Sequence, residues 1–151
     1  MRLRWITAFL AVLVATLALA ALAAADDGGR KFSTTLTGAA EVPGPGDPDA
    51  SGSASLRLNP GLGEVCFEIS WADVDGEVFA SHIHVGDATV AGPVVVTLFT
   101  GSFAGTGSVS DCVSADRELI LAITQDPANY YVNVHSRPNF PGGAIRGQLG
   151  K

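Results

Sequence analysis

Residues 64–71 read EVCFEISW, and their large apolar side chains fall at every second position. Val65, Phe67, Ile69 and Trp71 have one parity; Glu64, Cys66, Glu68 and Ser70 have the other. An extended strand puts alternate residues on opposite faces, whereas a helix would scatter these four around its circumference. The segment therefore demands a sheet with one face buried, and Cys66 is expected outside the main core. Short runs rich in Val, Thr, Ile and Phe recur along the chain with Gly and Pro at their edges. They predict strands at 32–38, 53–58, 63–71, 80–85, 93–99, 103–110, 130–135 and 144–149. "NPGLG" at 59–63 reads as a hairpin turn, and "GPGDPDASG" at 44–52 as a loop. One segment departs from this pattern: Leu119, Ile120, Ala122 and Ile123 recur at helical spacing, and Pro127 follows. It predicts a short helix over 115–125. The expected fold class is all-β: an antiparallel Greek-key sandwich or flattened barrel of about eight strands with one short helix.

The first 25 residues stand outside that fold. Arg2 and Arg4 precede a long Ala-, Leu- and Val-rich run, and Ala23 and Ala25 supply small residues before Asp26. The reading is a secretory signal peptide over 1–25 that leaves a single domain over 26–151. An uncleaved membrane anchor is the alternative, because the apolar run reaches the ~20 residues that span a bilayer. After cleavage no second run of that length remains, and no membrane association is expected.

Loss of Arg2 and Arg4 leaves seven basic against fifteen acidic side chains, a net charge of −8. Such a surface repels nucleic acid and anionic membranes. The expected partner is instead an unidentified protein or small ligand. Cys66 and Cys112 are the only cysteines, an even number in a chain bound for an oxidising compartment. A Cys66–Cys112 disulfide is expected, worth roughly 4 kcal/mol in the chain-entropy picture. The location expected is secreted, periplasmic or otherwise extracellular.

Three histidines carry the chemistry. "SHIHVG" places His82 and His84 opposite Ile83 and Val85; "YYVNVHS" places Tyr131, Asn133 and His135 opposite Val132 and Val134. If the two strands are neighbours, all three imidazoles share one patch on the outer face of the sheet. Three histidines from two strands suit copper or zinc with one coordination position open. The competing reading is a histidine cluster facing solvent or loops. No nucleophile elbow, phosphate-binding loop, His-Glu-x-x-His helix or Ca²⁺-loop spacing occurs. No catalytic residue is assigned, and a non-enzymatic binding or structural module is the favoured expectation. Gly142, Gly143 and Gly147 are expected at turns and close backbone approaches. Glu41 is expected to bond within its own loop, and Arg146 to pair with a carboxylate.

Several segments carry a resemblance: "LTGAAEVP", "ASGSASLRL", "ASHIHVG", "GPVVVTLF" and above all "YYVNVHSRPNFPGGAIRGQL". Over roughly 32–149 the chain resembles the CHRD domain family, the module repeated in chordin and found singly in many exported bacterial proteins. The resemblance implies an extracellular β domain without an established enzymatic role, and an adhesion or matrix module is one reading of it. At the histidines the chain is also similar to the copper/zinc superoxide dismutases. There His82 and His84 correspond to a copper-binding pair, His135 to a later copper ligand, and Arg137 or Arg146 to an anion-guiding arginine. No histidine remains for a bridging position or a zinc subsite. That likeness therefore implies a mononuclear centre, with superoxide-dismutase-like chemistry as the alternative to a purely binding role.

Overall fold

The computed structural model describes residues 28–150; the signal-peptide segment 1–25 lies outside them. The strands are β1 (Arg30–Thr37), β2 (Ser51–Asn59), β3 (Glu64–Ala72), β4 (Glu77–Val85), β5 (Val94–Phe103), β6 (Gly107–Ser114), β7 (Tyr130–Arg137) and β8 (Ile145–Gln148). One helix, α1 (Arg117–Gln125), and two short 3-10 turns, Gly38–Ala40 and Pro127–Asn129, complete the chain order. All eight strands belong to one antiparallel sheet in the order β5-β4-β7-β8-β1-β2-β3-β6. The two edge strands, β5 and β6, come back into contact, so the sheet curls into a nearly closed barrel. Among the described residues no helix is long and apolar enough to cross a membrane.

The alternation in β3 does what its sequence requires. Val65, Phe67, Ile69 and Trp71 point inward and are buried, while Glu68 is exposed. Inside the barrel they meet Leu36, Leu58, Ile83, Val132, Val134 and Ile145, all fully buried. Trp71 stacks on Phe99 at 5.5 Å and donates its indole N–H to the Ala104 carbonyl at 2.9 Å. The polar atom of the largest inward side chain is thus satisfied at the barrel rim. Helix α1 starts where Asp116 Oδ1 accepts the backbone N–H groups of Glu118 and Leu119 at 2.8 and 3.2 Å. Capping at the first turn, and burial of Ile120 and Ile123 on one face, account for a helix too short to persist alone.

Two expectations are corrected. The strand expected at 103–110 is a tight turn at 104–106 followed by β6 at 107–114. The Val74 N–H donates to the Gly105 carbonyl at 2.9 Å, and a Cβ on Gly105 would lie 2.2 Å from the Val74 carbonyl oxygen. The chain therefore reverses there, and β6 extends further because it pairs with β3 as far as Glu64↔Ser114. The second correction concerns the outer face of β4, β7 and β8, which loops cover except beside the half-buried His82. Every residue of β7 from Tyr130 to Ser136 is buried, and so is all of β8. One side of these strands packs into the apolar interior. The other side forms a polar layer under loops, whose carbonyls are bonded by buried side chains. Arg146 donates to Val90 and Asp87, and Gln148 donates to Gly86 and Ala128. Gly147 lets β8 lie this close to β1, since a Cβ there would stand 2.3 Å from the Thr35 carbonyl oxygen.

The expected disulfide is present. Cys66 and Cys112 stand directly opposite each other on β3 and β6, with Cα atoms 3.9 Å apart. The bond fastens an edge strand whose own side chains are mostly exposed and bury little apolar surface. Cys112→Ser is expected to lower unfolding stability by roughly 2–5 kcal/mol in urea titrations under non-reducing conditions. An unchanged denaturation midpoint would contradict this role.

Candidate metal centre

The three histidines are brought together by the pairing of β4 with β7. The register opposes His82 to Asn133, His84 to Tyr131 and Ala80 to His135. It is held by inward pairs such as Ile83↔Val132, which have no place on the other face. His82 and His84 therefore project to the same side as His135, which lies diagonally across from His82. His82 Nδ1 and His135 Nε2 are 3.0 Å apart. Ring centroids are separated by 4.9 Å for His82–His135, 5.7 Å for His82–His84 and 6.1 Å for His84–His135. One ring nitrogen from each lies within 4.8 Å of the others. Nitrogens around a shared metal at 2.0–2.1 Å are about 3.3–3.6 Å apart, which small rotations of these rings supply.

Backbone carbonyls fix how the rings present themselves. His84 Nδ1 lies 2.8 Å from the Gly92 carbonyl, and His135 Nδ1 lies 3.0 Å from the Pro141 carbonyl. A carbonyl only accepts, so both Nδ1 atoms carry the proton and both Nε2 atoms keep a lone pair. Metal-binding imidazoles are oriented in this same way, through the nitrogen that does not bind. His135 Nε2 receives a hydrogen bond from His82. His84 Nε2 is buried with no hydrogen-bond partner, as is Asn133 Oδ1 beneath it.

Electrostatics favour neutral rings. Burial, then the neighbouring His135 and His84, push His82 down to about 4. Burial is also the main cause that lowers His84, aided by the charge of Arg146 and opposed by the Gly92 carbonyl and Asn133. His135 is lowered by burial and by His84, against the Pro141 carbonyl. Burial thus favours the neutral form of all three rings. His84 and His135 are each 7 % exposed, and His82 is half-buried, so the centre opens to solvent on the His82 side.

Tyr131, which sequence parity placed on this face without a role, and Arg146 stand against the imidazoles. The Tyr131 ring stacks on His84 at 4.7 Å and 8°. The Arg146 guanidinium lies 3.4 Å from the centroid of that same Tyr131 ring. Tyr131 Oη accepts the Gly92 N–H at 3.1 Å, next to the carbonyl that orients His84. Arg146 thus donates to loop carbonyls and Gln148 rather than forming the expected carboxylate pair. Arg137 does not join the centre; it pairs with Glu77 at the surface. Glu41 bonds the Val42 N–H within its own loop, as expected, and is buried with its Oε1 left without a partner. The other cluster of potential ligands, Glu64 with Cys66 and Cys112, has both sulfurs in the disulfide and offers no thiolate.

A CHRD domain family profile matches residues 32–149, which span every strand except the first two residues of β1 and all three histidines. The chain belongs to the CHRD domain family. No curated protein and no solved structure matches it. As a CHRD domain it is a β module, with a histidine cluster built on the β4–β7 pair.

The lowered histidines set the sign of one pH dependence. Their unfolded value is near 6.5, so between that value and the folded ones the unfolded chain binds more protons. The stability they contribute is present above about pH 6.5 and is lost as pH falls towards 4. Glu41, raised mainly by burial to about 7, acts with the opposite sign and loses its contribution as pH rises from 4.5 to 7. Comparison of the metal-free protein with His82→Gln cancels Glu41 and isolates the histidine. The variant is expected to lose about 1–2 kcal/mol less than the parent between pH 7 and 4, the figure being reduced for solvent screening. Parallel stability curves would show that His82 titrates as a free imidazole.

Proposed function

We propose that this CHRD domain is an exported binding module that holds a single copper or zinc ion through His82, His84 and His135. The observation that carries this reading is the commitment of the His84 and His135 Nδ1 protons to the Gly92 and Pro141 carbonyls. It leaves two Nε2 lone pairs turned toward His82. Among the described residues no fourth His, Cys, Asp or Glu joins the cluster, which leaves one coordination position for water or a small ligand. A bound ion would supply a Lewis-acidic centre at that position. The chain's own residues orient the rings, keep them neutral and exclude solvent from all but the His82 side. The disulfide is compatible with an oxidising compartment, and the basic and apolar N-terminal segment supports export through a cleaved signal peptide. Binding rather than turnover is the favoured role, because among the described residues no further His, Cys, Asp or Glu joins the cluster to act as an acid or base. A partner protein or small ligand completes the function.

Calorimetric titration of chelator-stripped protein with Cu²⁺ and Zn²⁺ tests this. One ion per chain is expected, with Cu²⁺ held more tightly than Zn²⁺. Because burial lowers all three rings, affinity should fall off at a lower pH than free imidazoles would give, His82 being lowered to about 4. His84→Ala should abolish binding, since the two remaining histidines, one on each strand, hold a metal poorly. Equal affinity for His84→Ala and parent would mean that the ion binds elsewhere.

A further inference from the structure

The β4–β7 pairing that gathers the imidazoles puts one more polar side chain among them. Asn133 stands directly opposite His82. It lies two residues from His135 on the same strand and diagonally across from His84, so it shares the face of all three rings. It is 2 % exposed, and its Oδ1 is wholly buried with no hydrogen-bond partner. Arg146, its neighbour on β8, supplies no donor to it: the guanidinium is bonded to Val90, Asp87 and Gln148 and stacked on Tyr131. His84 Nε2 is likewise buried and unpartnered. Asn133 acts on His84 as a hydrogen-bond acceptor, raising that ring against the effect of burial. The Nδ1 of the ring is already on the Gly92 carbonyl, so the nitrogen left to face the amide oxygen is Nε2. Two buried acceptors thus face each other with no donor between them. That arrangement costs stability until something electron-poor comes between them.

We propose that Asn133 Oδ1 is a further ligand of the ion held by His82, His84 and His135, bound from the floor of the cluster. The inference rests on the three-histidine reading and adds one oxygen to it. An amide oxygen carries lone pairs and no proton, so nothing has to leave it before a cation arrives. A side-chain amide oxygen is a weak, long axial ligand in copper sites, and zinc completes a tetrahedron with three nitrogens and one oxygen. The strand pair holds the residue in place, because the Asn133 backbone carbonyl accepts the Ser81 hydroxyl at 2.7 Å. The half-buried His82 side stays open, so water or a small ligand still reaches the ion from outside. A buried water donating to both acceptors would satisfy the same two atoms without a metal. The two arrangements differ in what a bound ion senses when the amide is removed.

The test compares the parent with Asn133→Leu and Asn133→Asp, reading Cu²⁺ affinity by competition with a chelator and the Cu²⁺ electron paramagnetic resonance spectrum. Asn133→Leu removes the oxygen and leaves the three histidines. It should bind one Cu²⁺ about tenfold more weakly, the scale on which groups supporting a metal act. Its copper g values and hyperfine splitting should shift, because one oxygen has left the shell. Asn133→Asp keeps an oxygen in the same place and adds a charge, so it should bind about tenfold more tightly than the parent and also shift the spectrum. It carries the test alone if Asn133→Leu fails to fold. An unchanged spectrum in either variant, whatever its affinity, would assign the oxygen to a buried water. Tighter binding by Asn133→Leu would show that the amide N–H had been blocking His84. Either result overturns the proposal while the three-histidine ion stands; a parent that binds no copper would defeat both.

Discussion

The pairing register of β4 with β7 is the constraint on which the rest depends. A slip of β4 by one residue would carry Ile83 out of the apolar interior and push His82 and His84 into it, away from His135. Each inverted apolar side chain costs about 1.5–3 kcal/mol of lost burial, and each imidazole brought inside without a partner adds a desolvation penalty. The same alternation that builds the barrel interior therefore builds the imidazole cluster on the reverse side. No separate device is needed to gather the imidazoles, because the core gathers them.

What makes the cluster more than a row of surface histidines is the layer laid over it. Strands β7 and β8 are buried on both faces, one apolar and one polar. The polar face is stabilised by hydrogen bonds from Arg146, Gln148, Tyr131 and His84 to the backbone of the 86–92 loop. That loop in turn supplies the Gly92 carbonyl that fixes the tautomer of His84. Gly92 is required there, since a Cβ would overlap the Val85 carbonyl oxygen. Arg146, Tyr131 and His84 form one stacked column from β8 across β7 to β4, so the loop, the cation and the ligand ring are positioned together. Low dielectric strengthens each of these bonds, and it is also what lowers the three imidazoles.

Much of this was legible in the residues. Period two located the strands and put all three histidines on one face, and the even cysteine count anticipated the bond between Cys66 and Cys112. The CHRD motifs supplied the family. The burial of the outer face was not legible, because parity says which side a residue faces but not whether a loop returns to cover it. Arg146 illustrates the difficulty: nothing in "AIRGQL" tells that its partners are carbonyls more than fifty residues away. Glu41 is a similar case, its burial being set by the return of Gly143 over the 41–46 segment. The turn at 104–106 was hidden by "FAGTGSVS", whose Ser and Val residues read as strand until the β3–β4 connection claims the Gly105 carbonyl.

The proposed three-nitrogen metal site rests on imidazoles oriented by backbone carbonyls. Anomalous diffraction at the copper edge, from crystals of chelator-stripped protein soaked with Cu²⁺, addresses that claim most directly. The account predicts one peak per chain, bonded at about 2.0–2.1 Å to His82, His84 and His135, with the His84 and His135 Nδ1 atoms still on the Gly92 and Pro141 carbonyls. A peak bonded to other residues, or three imidazoles unchanged with no copper between them, would contradict it.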